Sequence, residues 1–250
     1  MATTTIPGIP SIAVQAPAAR LGVAVVRQLV DVIVTGVLAP GELLPPELPL
    51  TTQFGVSRTV IRESVKRLEE KGLVTVSQGR GTTVNPPSSW NLLDPVVLQA
   101  MIDHDDSLGI LDELSEVRVG LESPMAGHAA EHADAESLAE LQAAFDRMRA
   151  AVDDPTTFPQ LDVAFHILVM EMSGSRLAQS IARTLFEHAL VSNRYRGRDP
   201  ERAFEITVDE HARILDAILA GDAAGAEAAM HAHIADSWAR RRLPVHGRDD

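Results

Sequence analysis

The sequence has 250 residues, no cysteine and a net charge of −13 at neutral pH. This length suffices for two domains with sizeable cores, and the lack of cysteine excludes disulfides and thiolate metal sites and is compatible with a reducing cytoplasm. No apolar run is long enough for a transmembrane helix, and residues 1–17 lack the pattern of a secretory signal, so we expect a disordered leader there.

The negative charge is unevenly distributed along the chain. Residues 1–84 carry a net charge of +2, whereas the remainder carries −15. A small DNA-binding module joined to an acidic regulatory domain would give this asymmetry, although two unrelated enzymatic domains could give it as well.

The N-terminal part predicts a helix-turn-helix. Apolar residues at helical spacing indicate a first helix over residues 21–37. A second short helix begins near Pro46, because proline is tolerated in a first helical turn. Ser57 is a good N-cap for a third helix that runs to about Lys71.

A β-hairpin is expected after the third helix. Residues 73–76 and 82–84 are mostly β-branched, and they flank a basic segment that contains glycine. We therefore predict a winged helix over residues 18–85 and a linker rich in proline and serine over residues 86–94.

The third predicted helix has the pattern of a DNA recognition helix. One face is apolar and would pack on the domain core. The opposite face carries donors that suit guanine and phosphate in the major groove. A solvated basic face on an ordinary surface helix is the alternative for such a helix taken alone. The residues on the polar face are Arg58, Thr59, Arg62 and Lys66.

From residue 92 onward the sequence shows helical periodicity and no convincing strand pattern. We therefore predict an all-α domain over residues 95–241, followed by a flexible tail over residues 242–250. The predicted helices are 95–104, 108–131, 135–151, 157–173, 176–194, 202–220 and 222–241.

Acidic and histidine residues lie in the apolar stripes of three of these helices. Asp162 and His166 are four residues apart and share a helical face, while His211 lies in the stripe of predicted helix 202–220 and His233 in that of predicted helix 222–241. Converging in a bundle, these four could hold a divalent ion such as Zn²⁺, Ni²⁺ or Mn²⁺. Alternatively, each histidine makes a core hydrogen bond and Asp162 pairs with an arginine. His231 cannot share a face with His233, because residues two apart on a helix point in nearly opposite directions.

The N-terminal part resembles the winged helix of the GntR superfamily of bacterial regulators. The motifs that carry the resemblance are Gly36-Val37-Leu38-Ala39-Pro40-Gly41-Glu42-Leu43-Leu44-Pro45, Phe54-Gly55-Val56-Ser57-Arg58-Thr59-Val60-Ile61-Arg62-Glu63, Leu68-Glu69-Glu70-Lys71-Gly72-Leu73 and Gln78-Gly79-Arg80-Gly81-Thr82. This resemblance implies contacts with bases and phosphates from the third helix, and minor-groove contacts from the wing tip. The residues that it implies are Ser57, Arg58, Thr59 and Arg62 in the helix and Gln78, Gly79 and Arg80 in the tip.

The second helix departs from the GntR pattern. Leu48 stands where the family commonly has an arginine that contacts DNA, and Pro46 and Pro49 are also unusual there. We therefore expect the operator affinity or sequence preference to differ from the common one.

Residues 114–234 resemble the FCD effector domain of the FadR subfamily. The matching motifs are Glu116-Val117-Arg118 with Glu122, Asp162-x-x-Phe165-His166, Glu210-His211 and Met230-x-x-His233-Ile234. The resemblance implies that Asp162, His166, His211 and His233 hold a divalent metal ion and that the carboxylate of an effector completes its shell. It also places Arg118 in the wall of the same cavity, with Asn193 as a weaker candidate for a polar contact.

The sequence thus predicts a mainly α, cytoplasmic transcriptional repressor with no enzymatic activity and no membrane partner. We expect a homodimer that binds double-stranded operator DNA with an inverted repeat and that responds to a small carboxylate effector. The segment Trp90–Pro95 is similar to one in members that sense sugar acids, galactonate or gluconate among them. A regulator that senses the metal itself and a metal-dependent hydrolase are the alternatives.

Overall fold

The computed structural model describes residues 18–189 and 202–242. Its internal contacts divide the chain into two compact units, residues 1–106 and 107–250. Among the described residues, no helix is both long enough and apolar enough to cross a membrane. The predicted leader, Asn193 and most of the predicted tail lie outside the described part of the chain.

The first unit contains the predicted helix-turn-helix and hairpin. Its elements are α1 (Ala18–Val34), α2 (Glu47–Phe54), α3 (Arg58–Glu70), β1 (Val74–Ser77) and β2 (Gly81–Val84). The two strands are antiparallel, with Val74 paired with Val84. The hydroxyl of Ser57 accepts a hydrogen bond from the backbone N–H of Val60 and caps α3, as predicted.

A single apolar core holds these elements together. Leu29 from α1, Phe54 from α2, and Ile61 and Leu68 from α3 are completely buried in it. Burial of each such side chain contributes about 1.5–3 kcal/mol relative to exposure. This packing fixes α3 so that its other face is turned to solvent.

The segment after the wing is bound to the end of α3. Lys71 forms an ion pair with Asp94, and both side chains are largely buried. The indole N–H of Trp90 donates to the carbonyl oxygen of Asn85 at 3.1 Å. The predicted linker over residues 86–94 is therefore a strap that is attached to the first unit at Trp90, Asn91 and Asp94, while most of its side chains are exposed.

Helix α4 (Pro95–His104) belongs to the first unit. Val97 and Ala100 on its buried face join the core of the winged helix. We predicted this helix as part of the second domain, and that boundary was wrong, because an amphipathic pattern does not reveal which core a helix covers. The two units divide after Asp106.

The described residues of the second unit are helical, as predicted. Its elements are α5 (Gly109–His132), α6 (Ala135–Ala150), α7 (Phe158–Met172), α8 (Arg176–Ala189), α9 (Ala203–Leu219) and α10 (Ala223–Arg242). Helix α5 packs against α7, α8, α9 and α10. The N-terminal end of α5 is bound to the C-terminal end of α10. Asp112 accepts hydrogen bonds from Trp238 Nε1 at 2.7 Å and from Arg242 Nε at 2.6 Å.

The strap after the wing leads to a testable prediction at Gly72. Gly72 and Gly36 both have φ of +75°, but a Cβ on Gly72 would meet the carbonyl oxygen of Ser89 at 2.1 Å, whereas one on Gly36 would meet nothing. Either alanine substitution should cost about 1–2 kcal/mol of backbone strain. Gly72→Ala should lower the unfolding free energy of the first unit by at least about 1 kcal/mol more than Gly36→Ala. Hydrogen exchange of the buried α3 amides measures both losses, and equal losses would contradict the close approach.

Candidate nucleic-acid interface and candidate metal centre

Helix α3 turns a polar face to solvent. Ile61, Ser64 and Leu68 are buried on its inner side. The predicted reading residues Arg58, Thr59, Arg62 and Lys66 are all exposed, as are Ser57 at the cap and Gln78, Gly79 and Arg80 at the wing tip. The donors that a major groove requires are therefore accessible on this helix.

A groove of about 780 Å³ separates α3 from the wing. Arg62 and Lys66 border it on the helix side, and Gly79 and Arg80 border it on the wing side. The structure therefore brings part of the predicted set to one cleft, whose lining also contains Glu47 and Glu69, while Ser57, Arg58, Thr59 and Gln78 lie outside it.

The start of α2 accommodates its unusual residues. Pro46 is the N-cap residue and Pro49 lies in the first turn, where a missing N–H leaves no helical bond unmade. Glu47 accepts a hydrogen bond from Arg62 Nε at 2.7 Å. Leu48 is 59% exposed, so this turn presents apolar surface where the GntR resemblance led us to expect a cation.

In the second unit, four side chains from three helices converge. Asp162 and His166 lie on α7, His211 on α9 and His233 on α10. One ligand atom from each lies within 4.8 Å of all the others. His166 Nε2 is 3.2 Å from His233 Nε2 and 3.3 Å from His211 Nε2. Asp162 Oδ1 lies 3.3 Å from His211 Nε2, so the four predicted ligands are neighbours in the fold.

The second ring nitrogen of each histidine faces an oxygen. The Nδ1–oxygen distances are 2.8 Å for His166 and Glu122 Oε2, 2.9 Å for His233 and Glu210 Oε2, and 2.8 Å for His211 and the carbonyl of Thr207. Carbonyl and ionised carboxylate oxygens only accept hydrogen bonds, so each Nδ1 carries the proton and donates it. Nε2 of each ring faces the other ligands and is the nitrogen available to coordinate a metal ion.

Both glutamates are ionised. Burial alone would raise the pKa of Glu122, but the charge of Arg118 and the hydrogen bond from His166 outweigh it and lower that pKa to about 2. Burial would raise the pKa of Glu210 as well, but hydrogen bonds from its histidine partner and from Arg240 lower it to about 2. These carboxylates therefore act as anionic acceptors at neutral pH.

The donor set fits a cation. Burial, reinforced by the neighbouring His233, lowers the pKa of His211 well below its usual value, and burial also lowers the pKa of His233. Asp162 Oδ1 is buried without a hydrogen-bond partner among the described residues. Nitrogen lone pairs and a carboxylate oxygen repel one another at these distances, and a divalent ion between them would replace the repulsion with attraction.

A small cavity of about 20 Å³ adjoins this centre. Its wall includes Arg118, as the resemblance implied, together with Thr207, Ser237 and Arg241. This volume holds about one water molecule. An organic acid could enter only if a wall moved.

The sequence analysis quoted Glu122 and Glu210 within motifs but gave them no role. The spacing of Arg118 and Glu122, four residues apart on one helix, was a usable signal for a paired charge. The contact between Glu210 and His233 joins two helices, so no spacing along the chain could reveal it. His231 is exposed and lies outside the cluster, as expected.

Comparison with protein families matches both units. Residues 21–84 match the family model described as bacterial regulatory proteins, gntR family. Residues 113–236 match the FCD domain model.

Individual relatives cover most of the chain. The galactonate operon transcriptional repressor of Escherichia coli K12 is 34% identical over 210 residues, which are 83% of this chain and 91% of the relative. The HTH-type transcriptional repressor NanR of Salmonella newport is 28% identical and aligns with 78% of this chain and 75% of its own length. The solved structure of Lar from Listeria monocytogenes covers 93% of this chain and all of its own, with a TM-score of 0.60 at 18% identity, a likeness of fold.

Proposed function

This chain belongs to the GntR family of bacterial regulatory proteins and is a DNA-binding transcriptional regulator with an FCD domain, not an enzyme; from this premise we propose that a small organic acid controls its operator binding. In the proposal, a cytoplasmic homodimer represses by binding an inverted repeat, and the acid releases it after binding at a metal centre. The observation that carries the proposal is the convergence of Asp162 and three histidines beside a cavity walled by Arg118. The hydrolase alternative is dropped, because the relatives are regulators.

The exposed face of α3 and the cleft beside it support operator recognition. Arg58 and Arg62 offer bidentate donors for guanine, and Lys66 and Arg80 offer charges for phosphate. One recognition helix reads only a few base pairs, so a twofold dimer on an inverted repeat doubles the contacts.

The spacing of the ligands supports zinc as the first ion to test. Two nitrogens bound to Zn²⁺ at about 2.0–2.1 Å with a tetrahedral angle lie about 3.3 Å apart. The observed separations are 3.2 and 3.3 Å. Asp162, His166, His211 and His233 would hold the ion, which would supply a positive charge and would accept an anionic ligand by expanding from four to five ligands.

The charge and size of the site support an organic acid. One carboxylate ligand would leave a divalent ion with a net positive charge, and Arg118 adds a cation to the cavity wall. The similarity to a galactonate operon repressor favours a sugar acid. The cavity has a volume of only about 20 Å³, so an entering acid has to displace lining residues of α5, α7, α9 or α10. A ligand that favours the displaced arrangement can shift operator binding by a coupling of typically about 1–3 kcal/mol.

The first prediction of this proposal concerns the recognition helix. Arg58→Ala and Arg62→Ala should each weaken operator binding by about 1–3 kcal/mol, because each removes a donor to a base or phosphate. An operator selected from random duplex DNA and titrated against each variant gives the measurement. Arg67→Ala, an exposed arginine in the last turn of the same helix, is the matched control. Wild-type affinity in both test variants would show that α3 does not read the operator.

The second prediction concerns the ion. Protein purified without a metal-affinity column should contain about one divalent ion per chain by elemental analysis. His211→Ala and His233→Ala should lower this content, because each removes a ligand. His231→Ala lies two residues from His233 on the exposed side and should leave it unchanged. Equal content in all three variants would contradict the site.

The third prediction joins the acid to DNA binding. A panel of aldonic and aldaric acids, titrated against the protein–operator complex, should contain at least one acid that releases the DNA. Arg118→Lys keeps the positive charge but removes the planar guanidinium from the cavity wall, and it should weaken this response. Arg213 is an exposed arginine on α9, so Arg213→Lys should leave the response unchanged. A chelator should weaken the response of the parent protein. If the acid released the DNA equally well from the parent protein, the Arg118 variant and the chelated protein, the acid would bind at another site. If the metal ion released the DNA without any acid, the metal would be the effector.

A further inference from the structure

Glu122 is the hydrogen-bond partner of one of the three histidines, His166. Its Oε2 accepts the hydrogen bond from His166 Nδ1 at 2.8 Å. Arg118 holds the same carboxylate at two points, with Nε 2.7 Å from Oε1 and Nη2 3.3 Å from Oε2. The carboxylate therefore has both oxygens fixed and cannot turn away from the imidazole.

Glu210 repeats this arrangement for a second histidine. Its Oε2 accepts from His233 Nδ1 at 2.9 Å. Arg240 binds the two carboxylate oxygens through its two terminal nitrogens, at 2.7 and 2.9 Å. Each of these two imidazoles thus donates a hydrogen bond to a glutamate whose carboxylate is bound by an arginine.

His211 is supported differently. Its Nδ1 donates to the carbonyl oxygen of Thr207, one turn earlier on the same helix. That acceptor is part of the backbone of α9, so no additional side chain is needed to fix it.

The support matters because a neutral imidazole has two tautomers. Only the form with the proton on Nδ1 leaves Nε2 free to bind an ion. An anionic acceptor at Nδ1 favours that form, fixes the ring orientation and raises the basicity of Nε2.

We infer that Glu122 and Glu210, each locked by its arginine, are positioning residues that keep His166 and His233 in the tautomer able to bind a metal ion. The inference rests on the metal centre in the proposed function and assigns the two ion pairs a role in it. Without an acceptor on Nδ1, the proton would be free to occupy the nitrogen that faces the other ligands.

The two ion pairs differ in their surroundings. Arg118 lines the cavity and Glu122 is buried, so changes there would also alter the place where an acid enters. Glu210 and Arg240 are absent from the cavity lining, and Glu210 contacts the centre through His233. The second pair is therefore the cleaner one to test.

The test replaces this pair as a unit. In Glu210→Leu/Arg240→Met both charges are removed together, which in a buried pair is often neutral or stabilising for the fold. Asp146→Leu/Arg149→Met removes an exposed ion pair on α6 and is the matched control. Glu210→Gln/Arg240→Met restores an acceptor oxygen without its charge and should recover part of what is lost.

Three quantities are measured on the full chain after its metal has been stripped. The thermal midpoint reports the fold, the ¹⁵N spectrum of labelled histidine reports the tautomers, and competition with a chromophoric chelator gives the Zn²⁺ affinity. We expect the leucine variant to keep its midpoint, to show a mixture of His233 tautomers and to bind Zn²⁺ about 10–100-fold more weakly. The exposed control pair should match the parent protein in all three.

Wild-type zinc affinity with a pure Nδ1-protonated His233 in the leucine variant would overturn the inference. A loss of affinity that follows a fall in the midpoint, with the tautomer unchanged, would also overturn it, because the pair would then be structural. Should the leucine variant not fold, the glutamine variant decides in the same way, with a smaller expected loss. A parent protein that binds no zinc would contradict the proposed metal centre instead, and the tautomers of the ion-free protein would still decide the role of Glu210.

Discussion

Crowding of imidazole nitrogens is the constraint on which the second unit depends. His166 Nε2 lies within 3.3 Å of two other imidazole nitrogens, and the Nδ1 atom of each of the three rings faces an oxygen. Such an arrangement is unfavourable in an apolar interior unless a cation lies within it. The packing of Phe165, Ile214 and Met230 around the centre is the main force that holds the helices together against this repulsion. If the proposed ion binds here, it would stabilise the second unit by the ordinary coupling of metal binding to folding.

The predicted DNA-contacting residues and the histidine centre belong to different units of the chain. The first unit contains the basic face of α3 and the wing, while the second contains the histidine centre. Helix α4 belongs to the first core, and only residues 105–108 separate it from α5, the helix that carries Arg118 and Glu122. A rearrangement of α5 would therefore be transmitted along the backbone over a short distance. The segment between the wing and α4 is also attached to the first unit, through Trp90, Asn91 and Asp94.

Local signals made much of the fold predictable. Ser57 caps its helix because its side chain can accept a backbone hydrogen bond, and this preference is visible in the sequence. The ligands Asp162 and His166 were recognisable because a polar pair in an apolar stripe is costly without a partner. The assignment of α4 and the support from Glu210 were not recognisable, since both depend on which helices pack together. The apolar stripes and the resemblance to the FCD domain both indicated the four candidate ligands, but neither shows which side chains contact their other ring nitrogens.

The protein contains two tryptophans, and each unit holds one. Trp90 donates to a carbonyl oxygen in the strap after the wing, whereas Trp238 donates to Asp112 and follows Ser237, a residue of the cavity wall. The emission of an indole depends on its hydrogen bond and on the polarity around it, so the chain carries an intrinsic fluorophore in each core. With Trp90 replaced by phenylalanine, the remaining emission would come from the helix that bears His233. Rearrangement around the centre could then be followed in real time without an attached dye.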